Sequence, residues 1–149
     1  MLHIYIDADA CPVKNEVYKV AQRYGLSVTL VANSYMKIPS GDWIKLVVVD
    51  KGLNEADDWI SEHVEKDDIV ITGDIPLAAH CLDRGARALG HKGKPFTPDN
   101  VTEGLATRHL LAQLRDQGVM MGGPQPFSKK DRSLFLQQLD QMVQAIRRG

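Results

Sequence analysis

The pattern that most narrows the fold is an alternation in which short β-branched, apolar runs are each followed by residues at helical or loop spacing. Leu2-His3-Ile4-Tyr5-Ile6 is the first run and Ser27-Val28-Thr29-Leu30-Val31-Ala32 the second; residues 44–49, 68–72 and 87–89 supply three more. Behind the first, Pro12 suits an opening helical turn, Val13, Val17, Val20, Ala21 and Tyr24 recur at helical spacing, and Gly25 ends the element. Asn54 stands as an N-cap for a helix through about residue 65, and Asp74-Ile75-Pro76 opens one that runs to about residue 84, ahead of Gly85. Nearly continuous apolar strands separated by helices require a parallel sheet covered on both faces, wound by right-handed crossovers. The expected fold is α/β, three layers around a central, mainly parallel sheet, with a helical C-terminal extension.

The polar segment 33–42 and residues 90–100 read as loops, 101–117 as a helix, and 118–127 as a Gly/Pro-rich link. Ser128, with Asp131 three residues later, forms a capping-box pattern for a last helix whose apolar stripe is Leu134, Phe135, Leu139, Met142 and Ile146. At 149 residues, 44% hydrophobic and 25% charged, the chain has the make-up of one domain, residues 1–149. The α/β core is expected over about 1–100, with the helices of about 101–149 packed on it. No apolar run approaches a membrane span and no secretory segment opens the chain, so a cytoplasmic location and no membrane partner are expected. Cys11 and Cys81 are too few for a disulfide framework. Charge is divided: residues 1–83 hold 7 Lys/Arg against 14 Asp/Glu, and residues 84–149 hold 11 against 5. This suggests an acidic, metal-holding part and a basic part suited to a phosphate backbone.

In open parallel sheets ligands bind beyond the carboxyl ends of the strands. Asp7 and Asp9 lie at the first such end, Asp57 and Asp58 in the first turn of the helix after Asn54, and Asp74 just past the fourth strand. If the fourth strand lies beside the first, these carboxylates meet in one crevice. Aspartates gathered without His or Cys make a hard oxygen site, suited to Mg²⁺ or Mn²⁺, for which a phosphate ester is the natural substrate. On a helical wheel Asp57 lies within about 60° of Ile60, on the side of Ala56 and Val64, and Asp58 points roughly 160° away from Ile60. Asp57 is therefore favoured over Asp58. The expected catalytic carboxylates are Asp7, Asp9, Asp57, Asp58 and Asp74, with Asp7, Asp9, Asp57 and Asp74 as metal ligands. Lys14, Ser34, Arg108, Lys129, Lys130 and Arg132 are candidates for holding a phosphate or nucleic-acid backbone, and Tyr35 and Phe127 for stacking on a base. The Cys81-to-Arg87 spacing matches the Cys-x5-Arg loop of cysteine phosphatases, but Cys81 falls inside a predicted helix, which argues for a small buried residue.

Asp7-Ala8-Asp9-Ala10-Cys11-Pro12-Val13-Lys14, Ala56-Asp57-Asp58, Thr72-Gly73-Asp74-Ile75-Pro76-Leu77-Ala78 and Gly122-Gly123-Pro124-Gln125-Pro126-Phe127 with Asp131-Arg132 resemble the bacterial YaiI/YqxD family of uncharacterised proteins. That family is grouped with the PIN-like domains. The resemblance implies a parallel-sheet α/β fold and metal-dependent cleavage of RNA or DNA by clustered acids. It matches Asp7 to the acid after the first strand, Asp57 or Asp58 to one on a mid-chain helix, and Asp74 to a Thr-x-Asp site. PIN-like nucleases often carry Glu at the middle position, and Asp83 and Asp99 are the candidates here for a further acid. The expected function is a Mg²⁺- or Mn²⁺-dependent nuclease acting on phosphodiesters, RNA first, with self-association left open. The alternatives are a haloacid-dehalogenase-like phosphatase using Asp7 as nucleophile and Asp9 as acid/base, because Asp7-Ala8-Asp9 resembles its opening motif, or a non-catalytic module binding nucleic acid or protein.

Overall fold

A computed structural model describes residues 2–52, 54–118 and 126–149. Five parallel strands, β1 (His3–Asp7), β2 (Ser27–Ala32), β3 (Ile44–Val48), β4 (Ile69–Ile71) and β5 (Arg87–Leu89), form one sheet in the order β3-β2-β1-β4-β5. The chain winds outward from β1 to β3 and then returns to lay β4 on the other side of β1. The β1–β4 boundary is therefore the topological switch point. Helices α1 (Lys14–Tyr24) and α5 (Lys129–Arg148) cover one face; α2 (Glu55–His63) and α3 (Ile75–Asp83) cover the other, and α4 (Pro98–Asp116) packs on α3. No helix of the described residues is long and apolar enough to cross a membrane.

Strand alternation sorts the two cores. Ile4, Ile6, Leu30, Ile69 and Ile71 meet Val17 of α1 and Phe135 and Leu139 of α5, whereas Val31 and Val70 meet Ile60 of α2 and Leu77 of α3. On the same alternation, Asp7 and Thr72 continue the α2/α3 side of β1 and β4. Polar ties hold α1 to α5: Glu16, 4% exposed, pairs with Arg132, and Asp140 pairs with Arg23 and accepts a hydrogen bond from the Tyr24 hydroxyl at 2.7 Å.

Several expected boundaries move for local reasons. Pro12 stays outside α1, because Ala10 adopts φ +60° and Cys11 N–H bonds the Ala8 carbonyl at 3.3 Å, so the chain turns before the helix begins. Asn54 occupies the cap position of α2 at φ +68°, and its side chain caps nothing; its carbonyl accepts from Asp58 N–H at 2.8 Å. The residue serves a left-handed turn, which Asn tolerates, rather than an N-cap. Helix α2 ends at His63 because Val64 is extended. Helix α4 starts at Pro98, three residues early: Thr97 N–H donates to Asn100 Oδ1 (2.9 Å) and Asn100 N–H to Thr97 Oγ1 (3.2 Å), a reciprocal cap with Asn in the acidic position. The Ser128–Asp131 box forms as expected, with both hydrogen bonds present. In α5, however, Leu134 is exposed and Val143 is buried, so the inner stripe is Phe135, Leu139 and Val143 at four-residue spacing, flanked by Met142 and Ile146. Residues 119–125 of the expected Gly/Pro link, including Gly122-Gly123-Pro124-Gln125 of the family motif, and Leu53 of the loop after β3 lie outside the described residues.

Candidate functional site

The carboxyl ends of β1 and β4 carry the candidate site. Each strand stops where its inward-facing residue becomes polar, leaving Asp7 and Thr72 over the α2/α3 face. The Thr72 hydroxyl donates to Asp7 Oδ2 at 2.9 Å and accepts from Asp74 N–H at 2.9 Å. Asp74 caps α3, its Oδ1 accepting from Leu77 N–H at 2.9 Å. Asp9, in the turn after β1, accepts through Oδ2 from Asn33 N–H at 3.0 Å, so the end of β2 fixes the third carboxylate.

These side chains border two adjoining crevices of about 360 and 330 Å³ that share Asp7, Asp9 and Asp74. The larger is completed by Gly73, His91 and Arg108, the smaller by Asn33 and by Asp57 from the first turn of α2. Helical geometry separates the neighbours as the wheel indicates, with Asp57 turned inward and Asp58 exposed.

Electrostatics record the crowding. Burial, then the charges of Asp74 and Asp7 and a hydrogen bond to the Asp74 carboxyl, push Asp57 up to about 6. Asp7 is also raised, by burial first, against the lowering hydrogen bond from Thr72, and further by Asp74 and Asp9. Two carboxyls in hydrogen-bonding contact require a shared proton or a cation between them. A further feature suits a hard cation: Asn33 Oδ1 is buried in the same region and accepts no hydrogen bond among the described residues. A donor set made only of oxygens, one of them unsatisfied, fits Mg²⁺ or Mn²⁺. Among the described residues no three His, Cys, Asp or Glu side chains are gathered tightly enough to hold a metal ion as they stand.

The structure thus brings together Asp7, Asp9, Asp57, Asp74 and Arg108. The other expected contacts lie outside both crevices. Lys14 Nζ lies 3.9 Å from Met36 Sδ, Ser34 is exposed beside Asn33, and Lys129 and Lys130 are exposed at the start of α5. Arg132 is occupied: it pairs with buried Glu16, donates to the Pro12 carbonyl at 3.0 Å and stacks over Phe127 at 5.0 Å, which also takes Phe127 into the packing. Tyr35 is 81% exposed. Asp83 faces the α3–α4 groove and Asp99 is exposed in the first turn of α4, so neither adds an acid to the crevice. Cys81 is fully buried in α3 and burial pushes its thiol up to about 12, which rules out a phosphatase thiolate there.

Thr72, Asn33 and His91 were not among the expected site residues. One signal marks all three, since each lies within two residues of the carboxyl end of a parallel strand, the position where ligands bind in this architecture.

No solved structure matches the chain. The family model described as "Uncharacterized BCR, YaiI/YqxD family" matches residues 5–145. The chain is 55% identical over 148 residues to a UPF0178 protein of Parvibaculum lavamentivorans, covering 99% of this chain and 97% of the relative. It is 50% identical over 153 residues to one of Rhodospirillum centenum, covering 100% and 99%. With the family model matching residues 5–145 and relatives about half identical over nearly the whole chain, the chain belongs to the YaiI/YqxD (UPF0178) family of uncharacterised bacterial proteins.

Proposed function

We propose that the protein is a divalent-metal-dependent phosphodiesterase, a nuclease acting on RNA first, working in the crevice at the ends of β1 and β4. The observation that carries this reading is the convergence of Asp7, Asp9, Asp57 and Asp74 from three strand–helix junctions, with Asp57 held near 6 by burial and its neighbours. Such a group is unfavourable in the folded chain without a cation, so its assembly points to one. Asp7, Asp9, Asp57 and Asp74 are the residues that would hold Mg²⁺ or Mn²⁺. The cation, when bound, supplies charge for a phosphate oxygen and lowers the pKa of an attacking water.

The chain's own groups do the positioning. Thr72 fixes the Asp7 carboxylate, Asn33 N–H fixes Asp9, and the α3 N-terminus fixes Asp74. Arg108 brings a guanidinium to the other side of the shared carboxylates, where it binds a phosphate oxygen and offsets the acidic wall.

The test is incubation of end-labelled RNA and DNA strands, and of aryl phosphomonoesters, with Mg²⁺ or Mn²⁺. The reading expects strand cleavage that a chelator abolishes and that Asp57→Asn lowers by about 10²-fold or more. Monoester hydrolysis with a trapped phosphate on Asp7 would replace it with the phosphatase alternative. Strand binding with no turnover under any metal would replace it with a binding module.

A further inference from the structure

The larger crevice has a second wall, opposite in character to the aspartates. It is built by His91, from the turn after β5, and by Arg108 of α4. The turn is tightly held: Gly90 N–H bonds the Lys94 carbonyl and Gly93 N–H the Gly90 carbonyl, both at 3.0 Å, while Leu89 and Pro95 bridge below. It presents the imidazole edge-on to Gly73, which also borders the crevice; a Cβ on Gly73 would lie 3.4 Å from His91 Cε1 and 3.6 Å from Nδ1. The other ring nitrogen, Nε2, is buried and has no hydrogen-bond partner among the described residues.

That arrangement selects a tautomer. A buried N–H with no acceptor costs more than a buried lone pair with no donor, so the proton belongs on Nδ1, at the crevice edge. Burial also holds the ring below its ordinary pKa, favouring the neutral form. A neutral ring with its proton at Nδ1 offers a donor to the crevice, which a permanently charged guanidinium also lines.

We infer that His91 and Arg108 form an oxyanion subsite for a phosphate group of the substrate, with His91 Nδ1–H donating to a phosphate oxygen that Arg108 also holds. The inference rests on the phosphoester reading of the same crevice and adds to it a substrate-binding residue that lines the crevice with Asp7, Asp9 and Asp74. The group bound is a phosphate oxyanion, from either an internal diester or a terminal monoester.

The test pairs two substitutions of similar size. His91→Asn keeps a donor close to where Nδ1 stands, and His91→Leu removes it. Inorganic phosphate and short RNA strands, with and without a 5′-phosphate, are titrated into the Mg²⁺-loaded wild type and both variants, alongside thermal melting and Mn²⁺ titration. Expected are phosphate and strand affinities about tenfold weaker in His91→Leu, within about twofold of wild type in His91→Asn, and Mn²⁺ affinity and melting unchanged in both. On cleavage, the loss in His91→Leu falls on KM. Loss confined to 5′-phosphorylated strands assigns the subsite to a terminal monoester, and equal loss on both strands to an internal diester. Wild-type affinity in His91→Leu, or equal loss in Leu and Asn variants, overturns the inference while leaving the metal-dependent activity in place. Absence of both Mn²⁺ and phosphate binding in the wild type overturns the inference and the phosphoester reading together.

Discussion

The Thr72 hydroxyl has one proton to give and lone pairs to accept with, and the strand end uses both, toward Asp7 Oδ2 and from Asp74 N–H. Thr72→Val removes both bonds at nearly constant volume, stranding a backbone donor and leaving Asp7 without the interaction that lowers its pKa. A loss of about 1–3 kcal/mol is expected in urea denaturation, with Thr72→Ser close to wild type. Asp57 acts in the opposite sense. Its folded pKa of about 6 lies above the ordinary 3.8, so the folded state holds that proton more tightly than the unfolded chain does. Its contribution to stability is fully present below pH 3.8 and is lost as pH rises through about 6. Metal-free protein should therefore melt lower at pH 8 than at pH 5 through this group, and Asp57→Asn should remove that dependence. At pH 8 the variant should melt higher by about 2–4 °C. The same proton competes with a cation, so Mn²⁺ affinity should weaken as pH falls below about 6, and calorimetry across pH 5–8 reads this directly.

Elements show what was legible in the sequence and what was not. All five strands, the parallel sheet and the two-faced cover follow from apolar runs and spacing, because burial on both faces leaves little freedom in composition. Helix starts were harder to read. Asn54 and Pro12 carry cap-like identities that backbone turns put to other uses, and Thr97 with Asn100 caps α4 through a pair whose Asn lies outside the usual Glu/Gln pattern. A similar limit applies to Arg132, whose basic surroundings read as a phosphate contact, whereas its partner Glu16 lies 116 residues away in α1. Arg132→Ala should leave Glu16 buried without its counter-ion and cost about 1–3 kcal/mol by denaturation, without changing strand affinity. In α5, Phe135→Ala should cost about 3–5 kcal/mol, and Leu134→Ala, at 42% exposure, well under that.

At the scale of the whole molecule, the strand order does the assembling. Because β4 returns to lie beside β1, residues 67 positions apart in sequence, Asp7 and Asp74, face one crevice, and the crossover α2 brings Asp57 over it. The basic C-terminal half contributes Arg108 there through α4, while Lys129 and Lys130 stay on the exposed start of α5. The convergence of these carboxylates requires β1 and β4 to be adjacent, and the sheet order meets that requirement. In the sequence His91 is marked only by its place two residues past β5, since a single histidine in a turn carries no spacing or periodicity of its own. Calorimetric titration of Mn²⁺ into metal-free wild type and into Asp9→Asn, Asp74→Asn and Asp58→Asn variants tests the central claim most directly. Saturable binding to the wild type, lost in Asp9→Asn and Asp74→Asn and retained in Asp58→Asn, is the result expected if the ends of β1 and β4 hold one cation site. No binding to the wild type, with or without RNA, would contradict it.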